Sequence, residues 1–170
     1  MKASLPGSTL VFITIACASR PAAPPSAEGT PTVSAAAAGQ VVTLYRSPCY
    51  GGCPVYSLSV TADGLVSYEG SAGVRHRGSA TARMPAARVS ALLAELEAAG
   101  YFGFANRYRP SEPVCGRYVP DAPTVITSAR LGTRIKRIEH DYGCGAAPMA
   151  LRVLESRIDV VLGSGRWTGR

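Results

Sequence analysis

Two places in the chain combine residue types that can do chemistry. One is Ser47-Pro-Cys49-Tyr-Gly-Gly-Cys53-Pro54-Val-Tyr56, in which Tyr-Gly-Gly separates two cysteines. The other is His140-Asp-Tyr142, to which Asp121-Ala-Pro123 adds a second carboxylate upstream. A close cysteine pair serves as a redox couple, as half of a zinc site or as a structural staple. Redox pairs work because a helix N-terminus lowers one thiol's pKa. Here Pro54 and strand-like alternation follow the pair, so the helix dipole is missing. Zinc held by Cys49, Cys53, Cys115 and Cys144, or by three of them with His140, would need a second close pair, which the spacing does not supply. A hydrolase centred on His140 and Asp121 would need a nucleophile and oxyanion donors, and no G-x-S-x-G is present. No catalytic residue, metal or cofactor is therefore assigned. Thiol redox through Cys49 and Cys53 and hydrolysis around His140 and Asp121 stand as the enzymatic alternatives.

The staple reading agrees with the compartment. Met1-Lys2 precedes a short apolar run, Leu10-Val-Phe-Ile-Thr-Ile15, and then Ala16-Cys17. That is the layout of a secretory signal. Its end resembles a lipobox in which Cys17 is lipidated, with Thr14 where an aliphatic residue is usual. We expect residues 1–17 to be a signal peptide, residues 18–39 to be a Pro/Ala-rich tether, and residues 40–168 to form one domain. Membrane attachment would run through lipid at Cys17. Setting Cys17 aside leaves four cysteines, which in an oxidising compartment favour disulfides in one of three connectivities. Two glycines let the small ring Cys49–Cys53 close, so the second bridge falls to Cys115 and Cys144. Loop-closure entropy puts the short bridge at about 2 kcal/mol and the long one at about 3.5.

Lys and Arg outnumber Asp and Glu by 18 to 11, a formal charge of +7. Apart from Lys2 and Arg20 the positive residues are scattered from Arg46 to Arg170 and are not gathered on one arm with interleaved aromatics, so a nucleic-acid partner is not expected. An envelope protein or polymer is.

The elements that must position these groups follow from periodicity. Apolar residues recur at period two in Val42 and Leu44, in Val55, Leu58 and Val60, and around Leu65 and Tyr68, with Asp63-Gly64 as a hairpin turn. The polar, Arg-rich stretch 74–84 reads as an edge strand. Pro85 opens a helix with Val89, Leu92, Leu93 and Leu96 on one face, and Gly100 ends it. A proline-broken loop spans 107–120, strands follow at 123–131 and 134–139, and Pro148 opens a last helix that Gly163 stops. The predicted fold is α+β: an antiparallel sheet of hairpins in the order ββββ-α-ββ-α, with two helices on one face. Trp167 is expected to pack under the last helix.

Several pieces together resemble a bacterial family of secreted proteins and lipoproteins that is a domain of unknown function. They are Cys49-Tyr-Gly-Gly-Cys53-Pro54-Val-Tyr56, Asp63-Gly64, Asp121-Ala-Pro123, His140-Asp-Tyr142-Gly143, and the ending Leu154-Glu155, Ile158-Asp159 and Trp167. The resemblance implies a shared fold, an envelope location and a candidate polar cluster of Asp121, His140 and Tyr142, and brings no activity. The expected function is binding or structural support, not catalysis. The cysteine motif reads as a turn fastener, with any working surface expected elsewhere.

Overall fold

The computed structural model describes residues 39–169 together with Met1. The chain divides into two units, Met1–Thr32 and Val33–Arg170, and the fold described is that of the second. Cys17, the signal segment beyond Met1 and the tether up to residue 38 lie outside the described residues. No helix of the described residues is long and apolar enough to cross a membrane.

Seven strands form one sheet in the order β4-β3-β2-β1-β6-β7-β5. The first four are β1 (Gln40–Arg46), β2 (Val55–Thr61), β3 (Leu65–Ala72) and β4 (Gly78–Arg83). They run as an antiparallel meander, as period-two segments joined by turns should. At the Asp63-Gly64 turn a Cβ on Gly64 would collide with the Met84 carbonyl, and its φ of +89° suits glycine alone. The Arg-rich fourth strand does lie at an edge. Helix α1 (Ala86–Ala98) then carries the chain across the sheet to β5 (Arg107–Tyr108) at the far edge. Strand β6 (Thr124–Leu131) returns to the middle beside β1, and β7 (Arg134–Asp141) fills the gap between β6 and β5. Two helices follow, α2 (Met149–Leu162) and the single turn α3 (Gly165–Thr168).

The architecture is α+β, as predicted, with three refinements. Arg107 and Tyr108, read as loop, pair with β7 in parallel, and two residues are too few to carry a period. Pro85 and Pro148 stand at the N-cap and not inside the helix, with ψ of 135° and 132°. Their carbonyls accept the first-turn N–H groups of Arg88 and Leu151 at 2.9 and 3.0 Å. Gly163 ends α2 in the left-handed conformation, φ +73°, but the chain then turns once more. That turn stacks Trp167 on Tyr68 at 4.8 Å.

The two faces of the sheet differ sharply. Val42, Leu44, Leu58, Val60, Val66, Val125 and Ile138 point to one side and are buried against Val89, Leu92 and Leu96 of α1 and Leu151, Leu154 and Ile158 of α2. The residues between them face away from both helices. Burial of this apolar layer, at roughly 25 cal/mol per Å², is what holds helices to sheet.

Candidate functional site

Both disulfides are formed. Cys49–Cys53 closes within the β1–β2 connection, Cα atoms 5.5 Å apart, and Cys115–Cys144 joins the 107–120 loop to the segment after β7, at 4.5 Å. The second bridge is fully buried. Beside it Gly143 packs so closely that a Cβ would strike the Val119 carbonyl, which accounts for glycine in His140-Asp-Tyr142-Gly143. Two disulfides suggest an oxidising, extracytoplasmic setting.

The polar groups concentrate where the inward faces of β1, β2 and β7 meet α2. Alternation along β7 puts His140 inward two residues after Ile138, and it is completely buried. Its Nδ1–H donates to Glu155 Oε1 at 2.9 Å, and the Glu155 side chain is only 1% exposed. The other imidazole nitrogen, Nε2, is buried with no hydrogen-bond partner among the described residues. The Tyr108 ring lies edge-on at 5.7 Å and the Tyr142 ring at 4.8 Å. The phenol of Tyr142 reaches Glu155 as well, and receives the Arg46 Nη1–H at 3.3 Å.

Arg46 ends the inward row Val42, Leu44, Arg46 of β1. Its Nε–H donates to Asp159 Oδ2 at 2.8 Å and a second guanidinium N–H joins the same oxygen. Tyr56 donates its hydroxyl to the other oxygen, Oδ1, at 2.6 Å. A continuous chain thus runs Tyr56–Asp159–Arg46–Tyr142–Glu155–His140. Burial pushes the Tyr142 phenol up to about 12, helped by the Glu155 charge and opposed by Arg46. Burial raises Tyr56 further still, with Asp159 adding to it. Burial opposes the charge on Arg46, yet Asp159, Tyr142 and Tyr56 more than offset it and hold the guanidinium above its ordinary value.

The outer end of this chain opens on a cavity of about 420 Å³. Arg46, Tyr56 and Asp159 form its polar part, Cys53, Pro54 and Pro123 an apolar wall, and Ser47, Ser156, Ser164 and Thr168 supply hydroxyls around the rim. Such a volume suits a small molecule or a short segment of chain. The cysteine motif, from which the sequence directs attention away, therefore borders this polar cavity: Cys53 and Pro54 form the wall and Tyr56 reaches the floor.

Of the three residues expected to cluster, the structure brings His140 and Tyr142 together. Asp121 stands apart, exposed in a left-handed turn with φ +65°, its carbonyl accepting the Tyr50 N–H at 3.1 Å. None of its contacts reaches His140 or Tyr142 among the described residues. The groups missed are Arg46, Tyr56, Glu155 and Asp159. A signal for them exists: Glu155 and Asp159 are carboxylates one turn apart on the apolar face of α2, beside Leu151, Leu154, Ile158 and Leu162, and Arg46 and His140 keep inward parity in their strands. Among the described residues no group of three or more His, Cys, Asp or Glu is placed to hold a metal ion.

No curated protein matches the chain. A family model covers residues 40–162, the whole sheet and both long helices, and on that match the chain belongs to the family described as Domain of unknown function (DUF6438).

Proposed function

We propose that this chain is an extracytoplasmic, lipid-tethered binding domain that recognises its ligand in the cavity beside the Cys49–Cys53 turn and does not turn it over. The observation that carries the reading is the contrast within the polar chain. Its inner end, His140–Glu155, is sealed from solvent, so the histidine has no access to a substrate. Its outer end presents Arg46, Asp159 and Tyr56 to an open cavity already shaped by a disulfide and two prolines. A neutralised, hydrogen-bonded ion pair ringed by hydroxyls favours polar ligands of low net charge, through directional hydrogen bonds to an apolar-walled site.

Ser156 is exposed on α2 at the cavity rim, so Ser156→Trp fills the cavity without touching the core. Neutral sugars, amino acids and dipeptides at millimolar concentration serve as probes in thermal unfolding. A probe that raises the melting temperature of the wild type and leaves Ser156→Trp unchanged supports the site. Equal shifts in both proteins, or none with any probe, count against it. Thiol titration of the unreduced protein addresses redox turnover: four blocked cysteines in the domain agree with a staple, and two fast-reacting thiols at Cys49 and Cys53 overturn it. The tether is tested by fatty-acid labelling, which Cys17→Ser should abolish.

A further inference from the structure

We propose that the sheet face turned away from the helices docks an acidic polysaccharide. This goes beyond the cavity reading and lies on the opposite side of the sheet. Register places the side chains in rows that cross the strands. One row reads Thr81, Ser67, Ser59, Thr43, Ser128 and Arg137, each the cross-strand partner of the next. The adjacent row reads Ser79, Glu69, Ser57, Tyr45, Ile126, Glu139 and Arg107. Within the first row Thr43 and Ser128 are buried and hydrogen-bond to each other at 2.6 Å, which leaves Thr81, Ser67 and Ser59 as its accessible hydroxyls, and Gln40 beside the row donates to Ser59 at 3.0 Å. The half of the face built from β1 to β4 is thus a floor of hydroxyls, and it holds a shallow groove of about 410 Å³ lined by Ser57, Ser59, Ser67, Glu69, Ser79 and Thr81.

The other half is cationic. Arg109 and Arg137 lie 3.3 and 3.8 Å from the one carboxylate of Glu139, and Arg107 sits in register with it. Three guanidinium groups around one carboxylate leave net positive charge, and Arg130 adds another on the same face of β6. Of the acids on the hydroxyl half, Asp63 pairs with Arg83, while Glu69 accepts the Ser79 hydroxyl and keeps its charge, so the carboxylates of the polymer belong at the arginine end.

A hydroxyl both donates and accepts, so hydroxyls repeated at the strand spacing of about 4.8 Å match a chain of hydroxyl-bearing sugar rings laid across the strands. Guanidinium groups at one end match carboxylates. Duplex nucleic acid fits poorly, because a flat face enters no groove. Single strands need several stacking aromatics, and the strands place one here, Tyr45.

The experiment uses the full chain and two forms of one polymer, polygalacturonate and its methyl ester, which keeps the ring hydroxyls and loses the charge. Polyphosphate, duplex DNA and anionic phospholipid vesicles are the competing anions. Polygalacturonate should bind, more weakly as salt rises, with the ester and the three competitors well behind. The Arg107→Gln/Arg109→Gln/Arg137→Gln variant should bind polygalacturonate about tenfold more weakly. Ser59→Val/Ser67→Val, β-branched replacements that suit a strand, should weaken polygalacturonate and leave polyphosphate unchanged. Unaltered affinity in both variants, equal binding of the ester, or a preference for polyphosphate, DNA or vesicles overturns the proposal. Ser156→Trp should bind polygalacturonate as the wild type does, so a failure of the cavity reading and a failure of this one remain distinguishable.

Discussion

Two carboxylates hang from the same face of α2, one helical turn apart, and meet opposite fates. Glu155 pairs with His140 where both side chains are at most 1% exposed. Asp159 pairs with Arg46 at 13% and 16% exposure, on a cavity. The inner pair is sealed from solvent, with His140 Nε2 left unpartnered among the described residues, so it fastens β7 to α2 through the Glu155–His140 hydrogen bond and nothing can reach it. The outer pair keeps partial solvation and spare donor capacity, since a guanidinium carries five N–H groups. Depth, not chemistry, separates a structural clamp from a candidate recognition site.

The comparison is open to direct attack. Glu155→Leu conserves bulk and strands a buried imidazole, and should cost about 3–5 kcal/mol, the usual penalty for breaking a buried pair. Adding His140→Phe should restore much of that loss in denaturant titrations, because two apolar groups remove the unpaired one. If the double variant is no better than the single, the inner pair is not a clamp. Next in size, removing the Cys115–Cys144 bridge with a double Cys→Ala change should cost about 3.5 kcal/mol, against about 2 for Cys49–Cys53. The short bridge should instead affect the cavity it borders. Asp159→Asn should cost about 1–3 kcal/mol, less than Glu155→Leu, since water reaches Arg46 in its place. A loss as large as that of Glu155→Leu would erase the distinction between the two pairs.

The last effect is alkaline and acts only at high pH. Tyr142 holds its proton to about 12 when folded, whereas an unfolded tyrosine ionises near 10. A raised folded pKa contributes stability that is complete below pH 10 and lost as pH climbs towards 12. Melting temperature should therefore fall across that window, tyrosinate absorbance should lag that of an exposed phenol, and Tyr142→Phe should lessen the fall without abolishing it, because burial also raises Tyr56 and Tyr101.

Much of this was legible in the residues. Alternation in β1 to β3, the Asp63-Gly64 turn, the spacing of Leu92 and Leu96 and of Leu154 and Ile158, and the left-handed Gly163 each rest on contacts a few residues apart. Arg107 and Tyr108 were unreadable because a two-residue parallel strand exists only through its partner. The grouping of Asp121 with His140 and Tyr142 rests on the family resemblance, and a shared set of motifs carries no distance between its members.

Composition and local period determined the α+β class and the placement of strands and helices, since these depend on side-chain alternation and short-range geometry. Only the tertiary structure decided that β6 and β7 insert beside β1, so that Arg46, Tyr56, Tyr142 and His140 converge on Glu155 and Asp159. That convergence depends on strand order and on the seating of α2, both set by burying the whole apolar layer at once. No local stretch of residues encodes it.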